Sequence, residues 1–179
     1  MRQLGTPLPS FELPDTTTEG VVNSAGLVGR VTVVAFICNH CPFVIHLKPE
    51  LAEFGRFCAD RGVSMVAISS NDVQSHPADS PDNMARDARQ FDYPFPYLYD
   101  ESQDVARAFD AACTPDFFVF DAQGKLAYRG QFDDSRPGNG LPVTGKDLRE
   151  AVQALVDGKR PGTDQKPSIG CNIKWRASA

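Results

Sequence analysis

Apolar positions recur along this chain in two rhythms. Runs at "VTVVAFI" (31–37), "VSMVAIS" (63–69), "FFVF" (117–120) and "LAYRG" (126–130), with a shorter "YLY" (97–99), are continuous or alternating and bounded by turn residues. They predict buried strands. Between the first two, Val44, Leu47, Leu51, Phe54 and Cys58 fall at three- and four-residue spacings. That spacing predicts an amphipathic helix, kinked at Pro49 because proline removes an amide donor from a helix interior. Further helices are expected at 81–90, 102–109 and 146–157, and "DAQG" closes a hairpin between the last two strands. Strand and helix alternate before a two-strand finish, which implies an α/β layered domain with a central mixed sheet flanked by helices.

Two proline- and glycine-rich segments interrupt the pattern: "DDSRPGNGLP" (133–142), read as a long loop, and the tail 159–179. The tail carries Ile169, Ile173 and Trp175, so it is expected to dock on the body of the protein, with all three helping to bury it. With 179 residues, 41% of them hydrophobic, one domain spanning 1–179 is expected, its tail packed upon it.

The net charge of −5 and pI near 5.1 argue against nucleic acid or an anionic membrane as main partner. The N-terminus has no apolar core of a leader, and no run approaches membrane-spanning length. A cytoplasmic setting is the expectation. Five cysteines (Cys38, Cys41, Cys58, Cys113, Cys171) are an odd number in a chain too large to need disulfide staples. In a reducing compartment they point to catalysis, metal binding or simple burial.

"FICNHCPFVIH" sets Cys38 and Cys41 between the end of a strand and the start of a helix. Free amides and the helix dipole stabilise an anion there, so Cys38 is expected to cap the helix as the nucleophilic thiolate. Cys41, one turn on, would resolve the mixed disulfide that Cys38 forms. His40 would place a positive charge or a donor near the Cys38 sulfur and lower its pKa. A zinc site built from Cys38, Cys41 and either His40 or His46 is the rival reading. No second CxxC or finger-spaced histidine pair follows, so no metal and no organic cofactor is implied.

Taken with these residues, "LGTPLPSFELPDTTTEGVV", "ACTPDFFVFDAQGKLAYRG", "YRGQFDDSRPGN" and "KPSIGCNIKW" make the chain resemble the thioredoxin superfamily over nearly its whole length. Within it, the resemblance is to redoxin-like, hydroperoxide-reductase and thiol-specific-antioxidant-related proteins of the bacterial cytoplasm. It implies a thioredoxin-like fold with an N-terminal β-hairpin extension, Pro115 as a cis-proline, and Thr114 facing the cysteine pair. Cys113 would lie on the same loop. The chain departs from thioredoxin in having Ile37 where a tryptophan precedes the first cysteine, and Thr32 where a buried aspartate serves as proton acceptor. Against peroxiredoxins, Cys41 aligns with the peroxidatic cysteine and Cys38 takes the place of the usual threonine.

The function expected is therefore thiol–disulfide oxidoreduction, acting on protein or small-molecule disulfides. The alternatives are a thiol-dependent peroxidase acting on peroxide, and a binding or metal-binding module on the same fold. Cys58, on the helix's apolar stripe, is expected to be inert, and His46 structural. Arg129, Asp133, Asp134 and Arg136 are expected to be solvated loop charges; the alternative is a salt-bridged rim near the active site, with Arg136 tying down the tail. Cys171, flanked by apolar residues, is expected either to come near the other thiols when the tail docks, as a second resolving thiol, or to sit in a tail that only covers an apolar edge of the sheet.

Overall fold

The structure, a computed structural model, describes residues 1–177. A short hairpin of β1 (Glu12–Pro14) and β2 (Val21–Asn23) opens the chain. The central strand β3 (Thr32–Phe36) follows, then α1 (Pro42–Ile45), α2 (Lys48–Ala59) and β4 (Ser64–Ser69). Next come α3 (Pro81–Gln90), β5 (Tyr97–Tyr99), α4 (Asp104–Phe109) and β6 (Cys113–Thr114). β7 (Asp116–Phe120), β8 (Leu126–Gly130), α5 (Lys146–Val156) and β9 (Cys171–Asn172) complete it. The five-stranded sheet runs β5-β4-β3-β7-β8, with β3 parallel to β4, β4 parallel to β5, and β7 and β8 antiparallel. This is the mixed sheet expected from the sequence. Among the described residues no helix is long and apolar enough to cross a membrane.

Every residue of β3 is buried because both faces of the sheet are covered. Val33 and Ala35 point to a core shared with Leu51, Phe54 and Cys58 of α2 and Leu148 and Val152 of α5. Val34 and Phe36 point the other way, to Phe109, Phe118 and Phe120, where the N-terminal Phe11 and Leu13 and the tail's Ile173 close the layer. Both the N-terminal hairpin and the tail thus complete the second face.

The expected kink at Pro49 is instead a break. α1 ends at Ile45, and Pro49 sits in the first turn of a new helix, α2, where its missing N–H has no intrahelical partner to lose. Of the three apolar tail residues, only Ile173 is buried; Ile169 and Trp175 are exposed, the latter under the Arg107 guanidinium. One buried isoleucine, rather than three apolar anchors, docks the tail beside its strand pairing.

Candidate active site

The chain leaves β3 at Phe36, passes Cys38, turns through Asn39 and His40, and enters α1 at Pro42. The N-cap of α1 is Cys41, with extended backbone angles, and its carbonyl accepts from the Val44 and Ile45 amides. The capping position expected for Cys38 therefore belongs to Cys41. The turn through Asn39 and His40 and the proline at the first helical position delay the helix by one turn.

Across from the pair lies Thr114, buried, and joined to Pro115 by a cis peptide bond as the resemblance implied. Its hydroxyl is 3.5 Å from Cys38 Sγ, and its carbonyl oxygen lies 3.3 Å from Cys41 Sγ. Cys41 Sγ is also 2.9 Å from Cys171 Sγ. Both motif cysteines are buried.

Their acidities diverge. The Cys38 thiol beside it, followed by the Cys171 thiol and the amides of Val44 and Cys171, draws Cys41 down to about 4 against the resistance of burial. The same hydrogen bond, now counted from the donor's side, raises Cys38 well above an ordinary thiol, with burial and the Asp79 carboxylate acting in the same direction. The two sulfurs titrate as one coupled pair, with Cys38 on the donor side of their shared hydrogen bond.

Asp79, which sequence reading passed over, organises the loop. Fully buried, it accepts from the Asn39 amide at 2.8 Å, the His40 amide at 3.3 Å and the Asn71 side chain at 2.9 Å, and meets His40 Nδ1 at 2.5 Å. The His40 ring is turned onto this carboxylate and stacked on His76. Lys48, buried and paired with Asp87, donates to the Asn39 carbonyl at 2.9 Å, and the Tyr97 hydroxyl donates to the Asn39 side chain. Nothing local marks Asp79, 39 residues beyond His40 in an unremarkable "PADS" turn.

One donor atom each from Cys38, His40 and Asp79 lie within 4.8 Å of one another, a set that could hold a metal ion. The carboxylate's acceptor capacity is already used by the four donors that shape the loop. Of the zinc partners weighed from the sequence, Cys38 and His40 come together with Asp79, whereas His46 faces Ser135 Oγ at 2.7 Å.

The tail reaches the site through β9, which pairs antiparallel with β6 so that Cys171 stands opposite Thr114. Gly170 makes the approach possible, since a Cβ there would meet the Thr114 carbonyl oxygen at 2.0 Å. Beyond it, the Lys174 amide donates to Asn71 and its carbonyl accepts from the Asp72 amide and the Gln103 side chain. Cys171 is half-buried, and burial, followed by the neighbouring Cys41, pushes it up to about 11.

Cys113 is buried at the same edge, its thiol donating to the Pro115 carbonyl, and burial pushes it up to about 12. Cys58 is buried in the α2 core as expected. Arg136 does not tie down the tail. Its guanidinium donates to the Asp133 and Ser135 carbonyls and to Gln131, within its own loop. Lys166, on Asp134, and Ser168, on the Gly130 carbonyl, hold the tail instead. Asp133, expected as a solvated charge, is buried and clasps the loop by accepting from the Ser135, Thr144 and Gly145 amides.

Comparison with known proteins gives a consistent picture. An uncharacterized conserved protein from Geobacillus kaustophilus is similar over 100% of this chain and 95% of its own, with 52% identity and a TM-score of 0.97. A hypothetical protein from Sinorhizobium meliloti 1021 is 48% identical, with a TM-score of 0.96, covering 99% of this chain and 97% of its own. A thiol:disulfide interchange protein of the thioredoxin family from Chlorobium tepidum TLS shares the fold at 21% identity and a TM-score of 0.66, over 87% of this chain and 99% of its own. No curated protein matches at a significant level. The AhpC/TSA family profile matches residues 4–129, from the N-terminal hairpin through both motif cysteines and the cis-proline to β8, and the chain belongs to that family.

Proposed function

We propose that this protein is a thiol–disulfide oxidoreductase whose working pair is Cys38 and Cys41, with Cys41 attacking and Cys38 resolving. The environment of the Cys41 sulfur supports this reading: two thiols and two amides converge on it and favour its thiolate form. The order is the reverse of that expected when Cys38 was placed at the helix cap, and the hydrogen bond from Cys38 is its first cause.

Cys41 Sγ attacks one sulfur of a partner's disulfide; the S–S bond breaks and the other sulfur leaves as a thiolate. Cys38 then loses its proton and attacks Cys41 Sγ, releasing the partner's second thiolate. Two electrons pass to the partner, and the pair becomes a disulfide. The His40–Asp79 couple, within 4.8 Å of Cys38 Sγ, supplies the proton acceptor that Thr32 cannot. Thr114 and Pro115 border the approach. The partners are protein or small-molecule disulfides, and the reading includes a reducing, cytoplasmic setting for one redoxin unit spanning 1–179.

Insulin reduction driven by a dithiol tests this. Activity that vanishes in Cys41→Ser and in Cys38→Ser is expected; activity unaffected by either overturns it. A thiol-dependent peroxidase is the second reading, favoured by the position of the Cys41 thiolate where the family resemblance sets a peroxidatic cysteine. In that case peroxide consumption exceeds insulin reduction and depends on Cys41.

A further inference from the structure

The Cys41 sulfur has two thiol neighbours, and only one belongs to the motif. Cys171 is brought to it from 130 residues away by a strand pairing, a glycine that lets two backbones touch, and a buried isoleucine two residues on. The sulfurs are 2.9 Å apart. A disulfide needs about 2.05 Å, so less than about 1 Å of travel separates contact from bond. Cys113 and Cys58, by contrast, have no sulfur contact of this kind among the described residues.

We propose that Cys171 is a third redox thiol, which takes over the disulfide of the motif and so fastens the tail to the active site in the oxidised protein. This inference rests on the Cys38–Cys41 reading above. In the step, Cys171 Sγ attacks Cys41 Sγ, the Cys41–Cys171 bond forms, and the Cys38–Cys41 bond breaks. Cys38 departs as a thiolate and takes up a proton, balancing the one lost by Cys171. No electrons enter or leave, so the exchange needs no further oxidant. Neutralising Cys41 by disulfide formation also removes its negative charge, one of the influences that keep Cys171 protonated.

The consequence is a covalent lock on the tail. β9 already lies across Thr114 while the thiols are free; once Cys41 is bonded to Cys171 that pairing is fixed by a covalent bond, and Cys38 is a free thiol. Return to the dithiol state requires an external dithiol, which reduces the Cys41–Cys171 bond and leaves β9 held by its non-covalent contacts.

The test uses full-length wild-type protein and Cys38→Ser, each oxidised with glutathione disulfide, alkylated, and digested without reduction. Cys38 and Cys41 share one tryptic peptide and Cys171 lies on another, so a cross-linked pair reports the proposed bond directly. In Cys38→Ser the cross-link is expected to replace the glutathione adduct on Cys41; in wild type, alkylation is expected on Cys38 rather than Cys171. A persistent Cys41–glutathione adduct in Cys38→Ser overturns the proposal, as does alkylation of wild type on Cys171 alone. Cys38→Ala serves if the serine variant fails to fold. Wild-type insulin reduction, measured in parallel, reports separately on the motif's own activity.

Discussion

The helical segment after β3 begins and ends with a buried cysteine. Cys41 caps α1 and Cys58 lies in the last turn of α2, and each is 0% exposed. Yet Cys41 is drawn down to about 4, while burial pushes Cys58 up to about 12, opposed only weakly by Arg149 and Arg61. Burial by itself disfavours a thiolate at both ends. The difference lies in what burial brings with it: at Cys58 the apolar stripe of a helix, at Cys41 two thiols and two amides from three separate segments. Depth in the core does not make a cysteine inert; the absence of donors does.

The comparison breaks outright if Cys41→Ser and Cys58→Ser behave alike. Cys41→Ser should reduce disulfide exchange to background and remove the ultraviolet thiolate absorbance of the reduced protein at neutral pH. Cys58→Ser should leave both intact and lower stability by about 1–2 kcal/mol, as a polar replacement in a packed core.

Stability against pH sharpens the contrast, because the two thiols contribute with opposite sign. Cys41 has a folded pKa far below that of an unfolded cysteine, so its contribution is complete above the unfolded value of about 8.5 and is lost as pH falls toward 4. Cys58 has a raised folded pKa, so its contribution holds below about 8.5 and is lost as pH rises toward 12. Thermal unfolding of wild type, Cys41→Ser and Cys58→Ser across pH should show the first variant flattening the acid limb and the second the alkaline limb. Unchanged limbs would contradict the assigned acidities.

Asp79→Asn acts through the loop that carries the pair. The amide keeps an acceptor for the Asn39 and His40 backbone but loses the charge facing His40 and Cys38. A cost of about 1–3 kcal/mol is expected. The Cys38 pKa should fall, narrowing the gap within the pair, but with the charge of the His40–Asp79 proton acceptor gone, resolution of the mixed disulfide should slow relative to its formation. Equal effects on both steps would reduce Asp79 to a structural role.

The smallest effect expected on the pair's chemistry is that of Gly170→Ala, which drives a Cβ into the Thr114 carbonyl. Unseating β9 takes the Cys171 thiol and amide away from Cys41. The Cys41 pKa should rise modestly, toward Cys58, and amide exchange in residues 170–174 should speed up, with about 1–3 kcal/mol lost from tail docking. Exchange identical to wild type would mean the tail accommodates the methyl.

Much of this fold was legible before the structure. The runs at 97–99 and 126–130 are strands with those bounds, and 31–37, 63–69 and 117–120 became strands within one residue of them. The hairpin extension and the cis bond at Pro115 followed from the resemblance. The two-residue strands β6 and β9 were not legible, because neither has a pattern of its own; each is a strand only because the other lies beside it. Trp175 and Ile169 misled, since apolar character marks what can be buried and not what finds a cavity.

The sequence by itself determined the order of strands and helices, the burial of both sheet faces and the setting of two cysteines between a strand and a helix. These are properties of neighbours along the chain, written in periods of two and about 3.6 residues. Only the tertiary structure decided which carboxylate holds the loop and which distant thiol touches Cys41. Those depend on contacts between residues 39, 73 and 130 positions apart. A thiol's acidity is the sum of the donors and charges that surround it, and no repeating pattern along the chain records that sum.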